Sequence, residues 1–238
     1  MNPTGKIIIA NWKMNPATIE EAVVLAKSID EDGLVVAPPF PFLHAVAAAV
    51  KYAKLGAQDL FWEDKGAYTG EVSGSQLAQI GVQYVIVGHS ERRRHLGETD
   101  EMVAKKFLAA LKNNLMPILC VGETKAEREA GETREILNQQ LKFMARIPKD
   151  TVCIVAYEPV WAIGTGMADK PADTIEIIAM IRKNLERLKS LRIIYGGSVT
   201  SVNAESFLKH KEIEGVLVGG ASLKPEEIKK ILQTATRY

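Results

Sequence analysis

Cysteine is scarce in this chain, and neither sign of charge predominates. The two thiols in 238 residues, Cys120 and Cys153, lie in apolar, strand-like runs. That argues against a disulfide-framed secreted module and reads as two buried small hydrophobes in a reducing compartment. No cysteine pair or cysteine–histidine pair has the spacing of a zinc site, so no metal is expected. Lysine and arginine number 30 against 29 acids, for a net charge of +1. A polyanion-binding surface would show a basic excess, and the one dense cluster is Arg92-Arg93-Arg94. Composition therefore argues against nucleic acid as a partner, and any field that attracts a small anion must be local. Long apolar runs are missing too. The opening MNPTGKIIIANWKMN is too short in its apolar part for a signal peptide or a membrane span. The expectation is a cytoplasmic protein with no membrane partner.

What the chain does have is 47% hydrophobic residues arranged as short β-branched runs alternating with amphipathic stretches. The spacing predicts strands at 6–10, 34–37, 55–58, 84–87, 117–121, 152–157, 192–195 and 216–218. Helices are predicted at 17–29, 42–51, 74–80, 100–112, 133–144, 173–188, 204–208 and 225–235. The strands are almost continuously apolar, as parallel strands covered on both faces are. No Gly/Ser-rich or Pro-rich linker interrupts the alternation, and IANWKMNP after the first strand lacks the glycine fingerprint of a dinucleotide-binding sheet. Eight β/α units over residues 1–238 predict one domain, an α/β fold closed as a (β/α)8 barrel.

In such barrels chemistry gathers at the C-terminal ends of the strands. Polar groups follow several of the predicted strands: Asn11 and Lys13 after the first, His89, Ser90 and Glu91 after the fourth, and Glu158 after the sixth. Each has an ordinary structural explanation by itself: a solvated lysine, a hydrogen-bonded histidine, a salt-bridged glutamate. Their placement on one rim is what none of those explanations predicts. After the last two strands come GGSV (196–199) and GGAS (219–222). Backbone amides bare of side chains hold a phosphate dianion well, and barrels often bind phosphate at this place. Ser198 and Ser222 are candidates for added donors or helix caps. The pair of motifs points to a phosphorylated small substrate.

ANWKMN, GAQDLFWEDKGAYTGEVS, VIVGHSERR, LCVGET, AYEPVWAIGTG, YGGSV and GVLVGGASLKP, running from residue 10 to residue 225, resemble the triosephosphate isomerase family in order and spacing. The resemblance implies a TIM barrel that interconverts dihydroxyacetone phosphate and D-glyceraldehyde 3-phosphate in glycolysis and gluconeogenesis, with no metal and no organic cofactor. It implies that Glu158 is the general base and His89 the electrophile, while Lys13 and Asn11 stabilise the enediolate. Ser90 and a buried Glu91 would support them. Gly164, Ser198, Gly219 and Gly220, with Asn11 and Lys13, would grip the phosphate. The family is itself the standard case of a glutamate base beside a neutral histidine at a helix N-terminus, so that feature comes with the resemblance. Pro159, Val160, Trp161, Ala162, Ile163, Gly164, Thr165 and Gly166 would form a lid with a stiff entry and a glycine tip. The resemblance also implies a homodimer in which the long loop after the third strand reaches a second subunit, with Gln58 and Thr69 at the interface. Met167 stands where the family often has lysine, which puts the hinge after the lid in question. Two other readings remain open: a phosphosugar aldolase using Lys13 as a Schiff base, and a non-catalytic binding barrel.

Overall fold

Along the first strand the residues Ile7 and Ile9 point to one core and Ile8 and Ala10 to another. That alternation, repeated on the other strands except the third, where Gly56 falls between Leu55 and Ala57, sets the architecture of the computed structural model, which describes residues 5–163 and 169–238. The strands are β1 (Ile7–Asn11), β2 (Leu34–Ala37), β3 (Lys54–Ala57), β4 (Tyr84–Val87), β5 (Met116–Val121), β6 (Val152–Tyr157), β7 (Ser190–Tyr195) and β8 (Gly215–Val218). All pair in parallel, each with the next, and β8 pairs with β1 to close the barrel. The closing seam places Ile7 opposite Gly215 and Ala10 opposite Val218. A β-carbon at Gly215 would overlap the carbonyl oxygen of Ile7, so only glycine allows this seam.

Inside the barrel lie Ile7, Ile9, Val35, Ala37, Ile86, Ile118, Cys120, Ile154, Ala156, Ile194 and Leu217, a packed core rather than a channel. The opposite face of each strand packs against the helix layer. That layer comprises α1 (Ile19–Ser28), α2 (Leu43–Ala49), α3 (Gly74–Ile80), α4 (Ser90–Leu96), α5 (Asp100–Lys112), α6 (Lys125–Glu129), α7 (Thr133–Leu141), α8 (Pro171–Asn184), α9 (Ala204–Leu208) and α10 (Pro225–Ala235).

Every predicted strand is present, three with the same ends and the others with ends shifted by at most two residues. The helices differ more. Thr18 caps α1 in a reciprocal box with Glu21, so that helix starts two residues later than its apolar pattern suggests. Proline at the first position starts α8 earlier. Two short helices, α4 and α6, were absent from the predicted set. Both are rich in charge and carry little apolar pattern, because they cover the barrel rim instead of the core.

Candidate active site

The alternation that builds the core continues to the last residue of β1 and one step past the ends of β6, β7 and β8. Ile7 and Ile9 lead to Asn11; Ile154 and Ala156 lead to Glu158. Ile194 and Leu217 lead to Gly196 and Gly219, where a missing side chain leaves room. The result is a cavity of about 180 Å³ at the C-terminal mouth of the barrel, lined by Asn11, Lys13, His89, Ser198, Gly219 and Gly220, among others.

Lys13 reaches this cavity from an unusual backbone. Its φ of 56° lies in the left-handed region, which residues with a β-carbon rarely adopt. Two side chains hold it there. Asn11 Oδ1 accepts from Lys13 N at 3.0 Å, and Gln58 Nε2 donates to Lys13 O at 2.7 Å and to Ala37 O at 2.9 Å. Beneath them, Ser222, fully buried, donates to Asn11 O at 3.2 Å. Ser222 thus ties the turn after β8 to β1, with its hydroxyl proton engaged there. The Lys13 ammonium rests on the Glu91 carboxylate.

Glu91 was expected to be a buried acid. Its side chain is 44% exposed, because it sits in the first turn of α4 on the rim, so its support of Lys13 is a solvent-facing ion pair. His89 is only 6% exposed. Gly88, at φ 72°, turns the chain so that His89 becomes the N-cap of α4. Its Nδ1 accepts from Glu91 N–H at 3.2 Å, which leaves the ring proton on Nε2. That Nε2 is 3.3 Å from Glu158 Oε1.

Glu158 is 1% exposed. Its Oε2 accepts from the backbone N–H of Ser90 at 3.1 Å, so Ser90 acts through its main chain. The Cys120 thiol also lies against this carboxylate; burial first, and then the Glu158 charge, push the thiol far up. Cys120 is therefore both a core residue, as expected, and a neighbour of the acid. The carboxylate itself lines a second cavity of about 300 Å³, with Ser90, Arg93, Cys120 and Gln140. It forms the wall between the two spaces instead of projecting into the first, because the amide at the start of α4 attracts it. Gly196, which lines the first cavity, packs on the other side of it; a β-carbon there would lie 2.8 Å from Glu158 Cγ.

Of the expected lid, Pro159 to Ile163 are described. Val160–Ala162 form a 3-10 turn, with Ala162 buried and Ile163 on the first cavity. Trp161 Nε1 donates to Glu123 at 3.4 Å, Tyr157 Oη donates to the same carboxylate at 3.1 Å, and Arg128 stacks on the indole. Gly164, Thr165, Gly166 and Met167 lie outside the described residues. Thr69 is exposed on the loop after β3, where Phe61 stacks on Trp62. Among the described residues no cluster of His, Cys, Asp or Glu has the form of a metal site.

Sequence reasoning placed Gln58 at an interface rather than against Lys13, and it did not single out Glu123, Gln140 or Gly196. Gly196 was present in the YGGSV motif; the other three are polar residues whose partners are distant in the chain.

The family model for triosephosphate isomerase matches residues 6–235. The chain belongs to the triosephosphate isomerase family. Similar proteins include the triosephosphate isomerase of Moorella thermoacetica, 50% identical with 91% of this chain and 93% of that protein covered. That of Dictyoglomus thermophilum is 44% identical over 96% of this chain and 99% of its own length. That of Aquifex aeolicus is 43% identical, with 95% and 98% covered.

Proposed function

We propose that the chain interconverts dihydroxyacetone phosphate and D-glyceraldehyde 3-phosphate, in glycolysis and gluconeogenesis, by proton transfer through an enediolate. The observation that carries this reading is the approach of Glu158 to His89 at 3.3 Å beside a cavity that holds Lys13 and Asn11. The carboxylate turns from Ser90 N–H toward the substrate and removes a carbon-bound proton as general base. Charge then grows on the substrate oxygens, where the Nε2–H of His89, the Lys13 ammonium and Asn11 stabilise it. His89 returns a proton to one oxygen and takes one from the other, and Glu158 delivers its proton to the neighbouring carbon. The glycine-lined wall of Gly219 and Gly220, with Ser198, receives the phosphate.

The test is a coupled isomerase assay on purified protein beside Glu158→Gln. Loss of the base is expected to lower kcat by about a thousandfold; parental turnover in the variant would refute the assignment. The aldolase reading requires a desolvated amine, and Lys13 is instead 26% exposed and paired with Glu91. Covalent trapping of Lys13 by borohydride with dihydroxyacetone phosphate would restore that reading.

A homodimer is part of the proposal. Met14, next to Lys13, is 93% exposed, and Tyr68 on the long loop is exposed as well, which suits burial against a second copy. Gln58 bonds within its own chain, so its part in an interface is to shape the Lys13 loop. A cytoplasmic location fits the two free, buried thiols.

A further inference from the structure

We infer that Gln140 is a positioning residue for the base, acting through Gly122; the inference rests on Glu158 being that base. The inner face of α7 is formed by Leu137, Gln140 and Leu141, all buried. A carboxamide among leucines is costly unless both of its ends are bonded. Both are, and to a single residue. Gln140 Oε1 accepts from Gly122 N at 2.8 Å, and Gln140 Nε2 donates to Gly122 O at 3.0 Å.

Gly122 is the first residue beyond β5, where the ladder with β6 has ended at Val121 and Tyr157. Its N–H and C=O need partners that no strand supplies there, and the Gln140 side chain takes the place of a neighbouring strand. The reason this matters to chemistry is proximity. A β-carbon on Gly122 would overlap the carbonyl oxygen of Glu158, and Glu158 N donates to Val121 O at 2.7 Å. The backbone of Glu158 therefore rests directly on the Val121-Gly122 segment. Gln140 fixes that segment from the helix layer, and the segment fixes the origin of the carboxylate that must reach the substrate. Gln140 also lines the cavity behind Glu158, so a change there reaches the base and not the phosphate wall.

Gln140→Leu removes both bonds while keeping the size. In steady-state isomerase assays on folded protein, kcat should fall about ten- to a hundredfold, as expected for a base displaced by a fraction of an ångström to an ångström. KM should stay within about twofold, because Lys13 and the glycine wall are untouched. Gln140→Glu keeps the acceptor for Gly122 N–H and loses the N–H donor, so its kcat should lie between parent and Gln140→Leu. A folded Gln140→Leu with kcat within about twofold of the parent overturns the inference, as does a loss carried in KM. If Gln140→Leu does not fold, Gln140→Glu decides in the same way: a lowered kcat at parental KM supports the inference, and a parental kcat overturns it. Glu158→Gln is measured alongside. Full turnover in that variant removes the base reading itself; its loss, together with a parental Gln140→Leu, removes the positioning inference alone.

Discussion

Lys13 carries a charge the proposed mechanism needs on a backbone it does not favour. A left-handed lysine is held because Asn11 takes its N–H and Gln58 takes its C=O. Replacing Gln58 with leucine removes the second restraint, and a net hydrogen bond is worth about 1 kcal/mol. The expected outcome is a drop in kcat/KM of about tenfold with circular dichroism unchanged; parental kinetics would show that the Asn11 contact is enough. At this scale the sequence was readable where parity rules. Asn11 and Glu158 stand two residues beyond inward-facing Ile9 and Ala156, so their place at the mouth follows from period two. His89 does not obey that parity. It follows Gly88, whose left-handed turn redirects the chain, and a β-carbon at Gly88 would crowd Val103 at 2.9 Å.

Helix ends decide what the loops can reach. Among the described residues, three helices start with a reciprocal box, formed by Thr18 with Glu21, Ser73 with Gln76 and Thr124 with Glu127. Thr18 ends the stretch that leads from Lys13 to α1. Thr18→Ala should cost about 1 kcal/mol, measured as a lower midpoint in urea at unchanged slope. A variant as stable as the parent would mean that packing of Ala22, Leu25 and Ala26 alone holds this end. The short α4 does a different task. Its first turns provide the amides that hold His89 Nδ1 and Glu158 Oε2. Hydrophobic pattern did not reveal it, since SERRRHL buries only Ser90; the string HSERR suggested a helix start through its resemblance alone.

Across the whole molecule, the loop after β3, α4, the link that follows α4, and α5 meet at a buried ionic cluster. Lys106 donates to both oxygens of Asp59, at 2.8 and 2.7 Å, and pairs with Glu98, while Arg92 bonds Asp59 and Glu98. Burial pushes the Asp59 carboxyl up to about 6, more than Lys106 and Arg92 pull it down. Burial also acts upward on Glu98, but the bonds from Lys106 and Arg92 outweigh it and the net direction is down. The folded state thus holds a proton on Asp59 that the unfolded chain releases near 3.9. This contribution to stability is present below about pH 4 and is lost as pH rises to about 6; that of Glu98 runs in the opposite sense. Asp59→Asn removes the first, so its stability should rise more steeply than the parent's between pH 4 and pH 6. Urea midpoints across that range check it, and parallel curves would show that Asp59 titrates alike in both states.

The barrel, its strands and the rim that gathers Asn11, Lys13, His89 and Glu158 were determined by the sequence alone. Alternation and punctuation are local, and eight parallel units of this length close in few ways. Tertiary structure decided the rest: that Glu158 lies between two cavities, that Glu91 faces solvent, and that Gln58 and Gln140 hold Lys13 and Gly122. Those contacts join residues 18 to 68 positions apart. A polar side chain in one sequence carries no mark of a distant backbone partner; only closing the barrel brings the two within bonding distance.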